Sequence, residues 1–138
     1  MKELFIEAKL ENMERVMDFI NAQLEDSPEL KDCSLKIKNQ IGIAVDEVFS
    51  NICRYAYYPS IGSVTVRIAI DNNINIEFED SGMAHDPFSA DTPDISLSVE
   101  ERKVGGLGIF MLKKLMDSVE YRREENKNIL LIKKKIAN

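Results

Sequence analysis

The chain has 138 residues, with 18 Lys and Arg against 24 Asp and Glu for a formal charge of −6, and 44% of it is hydrophobic. Such a length is expected to fold as one domain over residues 1–138 with a filled core, which excludes a disordered chain. The acidic balance excludes a general nucleic-acid or anionic-membrane binder, both of which need an excess of Lys and Arg.

Met1 to Glu7 alternates polar and apolar residues, so a signal-peptide core is not expected. No apolar run approaches the ~20 residues of a membrane span. Cys33 and Cys53 show neither CxxC nor Cys/His spacing, the pattern of a reduced, cytoplasmic protein with two small buried thiols.

Leu4 to Leu10 alternates and predicts a short strand. From Asn12, a candidate N-cap, Met13, Val16, Met17, Ile20 and Leu24 recur at helical steps. Ser27-Pro28 breaks the chain, and a second helix is predicted from Ser34 to Tyr58 on the stripe Ile37, Ile41, Ala44, Val45, Val48 and Ile52. Pro59 pushes Tyr58 out of helical geometry and ends it. A hairpin follows: Val64, Val66, Ile68 and Ile70 alternate, Asp71-Asn72-Asn73 turns, and Ile74, Ile76 and Phe78 alternate back.

Residues 81–106 hold two of the four prolines and three of the six glycines and lack periodicity. A loop of that length is usually functional or a lid. Helical spacing returns at Leu107, Ile109, Leu112, Leu115 and Met116. Two strands close the chain, Val119–Arg123 and Ile129–Ile136, turning near Asn126, with Lys133-Lys134-Lys135 expected to guard a sheet edge. The order predicts one mixed sheet with helices on one face.

Three segments carry candidate chemistry. Glu47 and Asn51 stand four apart on the second helix and share a face beside its apolar stripe. Together they could hold Mg²⁺ through oxygen, or the carboxylate could act as a general base; the competing reading is a solvated face with a Glu47/Arg54 pair. Asp80-Ser81-Gly82 carries an acid out of a strand into a glycine. There Asp80 either accepts from an exocyclic amine or makes an ordinary Asx-turn. Gly105-Gly106-Leu107-Gly108 places three glycines where loop becomes helix, where free backbone N–H groups can face an anion. His85 is the one histidine, which argues against a histidine metal cluster or a nucleophile–His–Asp triad.

Together, Ala44-Val45-Asp46-Glu47-Val48-Phe49-Ser50-Asn51, Glu79-Asp80-Ser81-Gly82-Met83-Ala84-His85-Asp86-Pro87-Phe88 and Gly105-Gly106-Leu107-Gly108-Ile109 resemble the N box and two glycine boxes of the Bergerat fold. This is the ATP-binding domain shared by gyrase-type ATPases and histidine kinases. Within it the chain is most similar to the bacterial anti-sigma-factor serine/threonine kinases. The resemblance implies an α+β two-layer sandwich with a mixed, mainly antiparallel sheet, and a lid over about 81–106. It implies that Asn51 coordinates Mg²⁺, Asp80 accepts from the adenine amino group, and Gly82 lets the base approach. Gly105, Gly106, Leu107 and Gly108 then meet the phosphates, and Glu47 accepts the proton of the attacking hydroxyl. Asn128 stands where a Thr or Asn supports the adenine site, and Arg15 falls near a partner-contacting arginine. Ala84 replaces a second glycine and Tyr55 a frequent His. The implied ligands are ATP and Mg²⁺, and the implied partners a sigma factor and a small STAS-type antagonist, with a homodimer expected. The alternatives are a non-catalytic, nucleotide-dependent binding module and a detached histidine-kinase catalytic domain, which the absence of a phosphoacceptor helix opposes.

Overall fold

A computed structural model describes residues 1–30, 35–57, 59–84 and 110–136. Five strands, β1 (Lys2–Glu7), β2 (Ser63–Ile70), β3 (Asn73–Asp80), β4 (Ser118–Glu124) and β5 (Lys127–Lys135), form one sheet in the order β1-β2-β3-β5-β4. All four pairings are antiparallel, so the described sheet contains no parallel pair where a mixed one was expected. Helices α1 (Met13–Asp26) and α2 (Leu35–Asn51) precede β2. A further helix, α3, is described over residues 110–115.

The strand periodicity of two sorts the sheet into faces. Cross-strand rows on the inner face run Lys2–Ile68–Ile76–Ile132–Val119 and Leu4–Val66–Phe78–Leu130–Tyr121. Against them pack Val16, Ile20 and Leu24 of α1, Ile41, Val45, Val48 and Phe49 of α2, and Leu112 of α3. Fully burying such side chains stabilises the fold by ~1.5–3 kcal/mol each. The outer face carries Glu3–Arg67–Glu77–Leu131–Glu120 and Phe5–Thr65–Glu79–Ile129–Arg122. Arg67 at its centre pairs with Glu3 at 3.0 Å, Glu77 at 2.9 Å and Glu79 at 3.4 Å. The molecule is therefore a two-layer α+β sandwich with helices on one face.

Turn chemistry sets these registers. Asp71 Oδ1 accepts from Asn73 N–H at 2.7 Å in the β2–β3 turn. Glu125 (φ 49°) and Asn126 (φ 65°) both adopt left-handed conformations between β4 and β5, as a two-residue type I′ hairpin requires.

Three local expectations change. Asn12 does not cap α1: its φ is −91° with ψ near 1°, outside the extended region a cap needs, and its Nδ2 donates to Glu7 O at 3.0 Å. A 3₁₀ turn over Leu10–Asn12 precedes the helix, and the Met13 N–H is met by Leu10 O. The long helix leaves α geometry at Asn51 and continues as a π-helical turn over Ile52–Ala56. The lysine run guards no edge. The tight Glu125-Asn126 turn folds β4 outward, so β5 lies between β3 and β4. Lys134 Nζ instead donates to Leu115 O at 2.8 Å, closing the end of α3 where a cation is favoured.

Candidate functional site

The third inner row runs Ile6–Val64–Asp80–Asn128–Arg123. It begins apolar and ends polar, and that polar end is the base of the site. Asp80 and Asn128 are each 5% exposed, and a buried polar group must find hydrogen bonds. Asn128 Nδ2 donates to Asp80 Oδ1 at 2.9 Å and to Met83 O at 2.8 Å. Its Oδ1 accepts from Tyr121 Oη and from Arg123 Nη1, the latter at 3.0 Å. Two donors and two lone pairs are the full capacity of a carboxamide, so Asn128 has none left for a ligand. Asp80 Oδ1 also accepts from Gly82 N at 2.9 Å, an Asx-turn, while no described residue donates to Oδ2. The two readings of Asp80 are thus compatible, one per oxygen.

On α2, the spacing of four brings Asn51 Nδ2 to Glu47 Oε1 at 3.0 Å. That bond sets the amide orientation, since the reverse would press a carbonyl oxygen against a carboxylate. Asn51 Oδ1 is left buried with no partner among the described residues, a costly state unless a ligand meets it. Burial pushes the Glu47 carboxyl above its usual range, opposed by the Asn51 hydrogen bond and the positive charge of Arg54, with Asp46 adding to the rise. Among the described residues no Glu47–Arg54 ion pair forms; Asn51 is the partner instead. Ser50 Oγ occupies the neighbouring Asp46 at 3.0 Å.

Between these two clusters lies a cavity of about 40 Å³ walled by Val48, Ile52, Phe78, Leu112 and Leu130, with Asn51, Asp80, Tyr121 and Asn128 as its polar points. At ~10–15 Å³ each, it has room for about three waters. A roomier open groove beside Met1, Asp26 and Ile70 contains none of the three buried polar residues of the described chain, Ser50, Asp80 and Asn128. The small cavity therefore has the chemistry of a site despite its size.

Gly82 answers to the protein itself. A Cβ there would lie 2.2 Å from Ala56 O and 2.6 Å from Ala56 C. The π-helical turn presents that carbonyl to Met83 N–H at 2.9 Å; such turns often mark functional sites. Tyr57 clamps the same segment, donating to Ser63 O at 2.6 Å and accepting from Ser81 N at 2.8 Å. Arg15 is exposed on α1 and does not line the cavity. Cys53 is half-buried and its thiol is pushed up to about 11, chiefly by burial. The candidates Gly105, Gly106, Leu107 and Gly108, with Cys33, Tyr58 and His85, lie outside the described residues.

Sequence reasoning missed Tyr57, Tyr121 and Arg123. The last two were within reach of the turn near Asn126, which sets Arg123 opposite Asn128. Tyr57 has no comparable local signal, because its partners lie 6 and 24 residues away.

A histidine kinase-like ATPase domain model matches residues 6–134. The chain belongs to that family. Membership implies an ATP site. Relatives include the serine-protein kinase RsbW of Bacillus cereus (strain G9842) and of Bacillus anthracis (strain A0248), each 28% identical over 96 residues. Those matches cover 66% of this chain and 60% of the length of these relatives. Among solved structures, the chain is similar to the blue-light activated histidine kinase of Erythrobacter litoralis EL346, with a TM-score of 0.54 at 18% identity over 76% of this chain and 32% of that one. The isolated histidine kinase domain of that protein gives 0.55 at 15% identity, over 92% of this chain and 60% of that one. These likenesses show the fold. Among the described residues, no helix is long and apolar enough to cross a membrane.

Proposed function

We propose that the protein binds ATP with Mg²⁺ and is a serine/threonine kinase of the anti-sigma type. In this reading it phosphorylates a small STAS-type antagonist, binds a sigma factor as a homodimer, and changes partner with nucleotide state. The observation that carries the reading is the buried Asn51 Oδ1, without a partner among the described residues, held in place by Glu47 on the wall that also bears Asp80.

The residues fit a hard cation. A buried carboxamide oxygen with no partner among the described residues, backed by a carboxylate, suits Mg²⁺, an ion usually held by one or two protein oxygens plus substrate phosphates. Asn51 Oδ1 would hold it, directly or through water, with Glu47 behind, and the ion would neutralise charge on the phosphates. Asp80 Oδ2 accepts from the adenine amino group, and the backbone amides of Gly105, Gly106, Leu107 and Gly108 serve the phosphates. Glu47, its carboxyl raised by burial, takes the proton from a serine or threonine hydroxyl. The hydroxyl oxygen bonds to the γ-phosphorus, the bond from that phosphorus to the bridging oxygen breaks, and ADP departs with the electron pair. Phosphoryl transfer is mostly positioning and electrostatics, so these parts suffice.

The test is transfer from labelled ATP-Mg to a STAS-type antagonist. Wild-type protein should label a serine or threonine, and Glu47→Gln should bind ATP yet lose transfer by at least about 100-fold, the usual worth of a general base. Label transfer unaffected by Glu47→Gln refutes the assigned base. ATP bound but never transferred, with altered partner affinity, establishes the non-catalytic module in its place.

A further inference from the structure

The edge strand β4 carries, on the inner face of the sheet, a charged residue that is exposed yet bonded to the site. Arg123 Nη1 lies 3.0 Å from Gly82 O and 3.0 Å from Asn128 Oδ1. Gly82 is 41 residues away in sequence and belongs to the turn that follows Asp80. Arg123 is not among the residues that wall the cavity; it reaches the wall through Asn128.

Its position follows from register. Arg123 faces Asn128 across β4–β5, and Asn128 faces Asp80 across β3–β5. Directly opposed side chains on one face are the interacting unit of a sheet. The three therefore form a relay: the guanidinium holds Asn128 Oδ1, which turns Nδ2 toward Asp80 Oδ1 at 2.9 Å. Tyr121 supports the same orientation from inside the cavity. With Asn128 saturated, Asp80 Oδ1 is fully taken by Asn128 and Gly82 N, and the carboxylate is held in one orientation with Oδ2 free of donors among the described residues. The second bond of Arg123, to Gly82 O, holds the turn that supplies Gly82 N. Charge-assisted bonds of this kind are about twice as strong as neutral ones.

We infer that Arg123 is a positioning residue for base recognition: without touching nucleotide, it locks the Asn128 amide and the Gly82 turn so that Asp80 offers Oδ2 to an exocyclic amine. This rests on the ATP-site reading above. Arg123→Met keeps the alkyl stem and removes the donors, and at an exposed strand position it leaves the fold intact. Arg123→Lys keeps the charge and has three N–H donors, but its tetrahedral ammonium on a different stem does not reproduce the planar guanidinium geometry that meets both acceptors from Nη1.

The experiment titrates each protein with ATP and with purine riboside triphosphate, which lacks the 6-amino group, at constant Mg²⁺. Wild type should prefer ATP. Arg123→Met should weaken ATP about tenfold while leaving the purine analogue within about twofold, collapsing the preference toward that of Asp80→Asn, with Arg123→Lys between. The Arg123→Met/Asp80→Asn double variant should be no worse than Asp80→Asn alone, as one coupled network predicts. A loss shared equally by both nucleotides, or an unchanged preference in Arg123→Met, overturns the inference while leaving the ATP site standing. If wild type binds neither nucleotide, the site reading falls and this inference with it.

Discussion

Gly82→Ala separates two explanations of the same glycine. A glycine kept for nucleotide entry could be replaced at no cost to the empty protein. The structure instead places the would-be Cβ 2.2 Å from Ala56 O, where ordinary contact begins at 3.4 Å. The atoms it meets are mostly backbone, so no side-chain rotation relieves the clash and the β3 exit must move by about 1 Å. Overpacking of this kind costs ~1–3 kcal/mol. The Met83 N–H bond to Ala56 O at 2.9 Å is lost with it, for ~1 kcal/mol more. A total near 2–4 kcal/mol, at roughly 3 °C per kcal/mol for a chain of this size, lowers Tm by about 6–12 °C. Thermal and urea denaturation without nucleotide measure it. A Tm within about 2 °C of wild type, with ATP affinity alone lost, refutes the packing account, since that shift is worth under 1 kcal/mol.

Other perturbations read other parts of the network. Because burial raises the Glu47 carboxyl, the native state holds that proton more tightly than the unfolded chain, so this group's contribution to stability falls as pH rises from the ordinary glutamate range through the raised value. Glu47→Gln keeps an acceptor for Asn51 Nδ2, so it should be more stable than wild type at pH ~8 and equal to it near pH ~4, below the ordinary glutamate value; a pH-independent difference in denaturation midpoint contradicts this. Tyr57→Phe strips the partner from Ser81 N and Ser63 O and should cost about 1–3 kcal/mol, read by urea unfolding. ATP-Mg at 100 times Kd should add about 2.7 kcal/mol to wild type, and Asp80→Asn should abolish most of that gain in a thermal-shift titration.

The inner face of the sheet was legible because alternation is strict: Val64, Val66 and Ile68 and then Ile74, Ile76 and Phe78 are all buried. Glu47 and Asn51 were legible because a helix fixes their spacing, and they do bond. Two kinds of fact were not. A π-helical turn at Ile52–Ala56 has no compositional mark, since it records how the helix end meets β3 and not any local preference. The place of β5 inside the sheet depends on which neighbour β3 chooses, and the pattern of Ile129, Leu131 and the lysines is equally good for an edge. Asp80 and Asn128 were named as site residues, but that they share one inward row with Arg123 follows only from the register.

That alignment ties the site to the fold. A slip of one residue between β5 and its neighbours would turn Ile129 inward and Asn128 outward, because side chains alternate. The slip would expose apolar surface and also leave Asp80 buried without Asn128 Nδ2, a state costing ~1–3 kcal/mol for the unpaired group. The core and the candidate base-binding end are therefore selected by one register. The same arrangement bears on how a chain of net charge −6 can receive a polyanion. On the outer face, Arg67, Arg122 and Lys127 pair with Glu3, Glu77, Glu79 and Glu124, so these cations are spent on the sheet's own acids. Among the described residues the cavity wall carries no Lys or Arg; one carboxylate, Asp80, stands at the base end, and Glu47 stands behind Asn51. These two carboxylates would repel bare phosphates, so the proposed site should bind ATP poorly once Mg²⁺ is chelated.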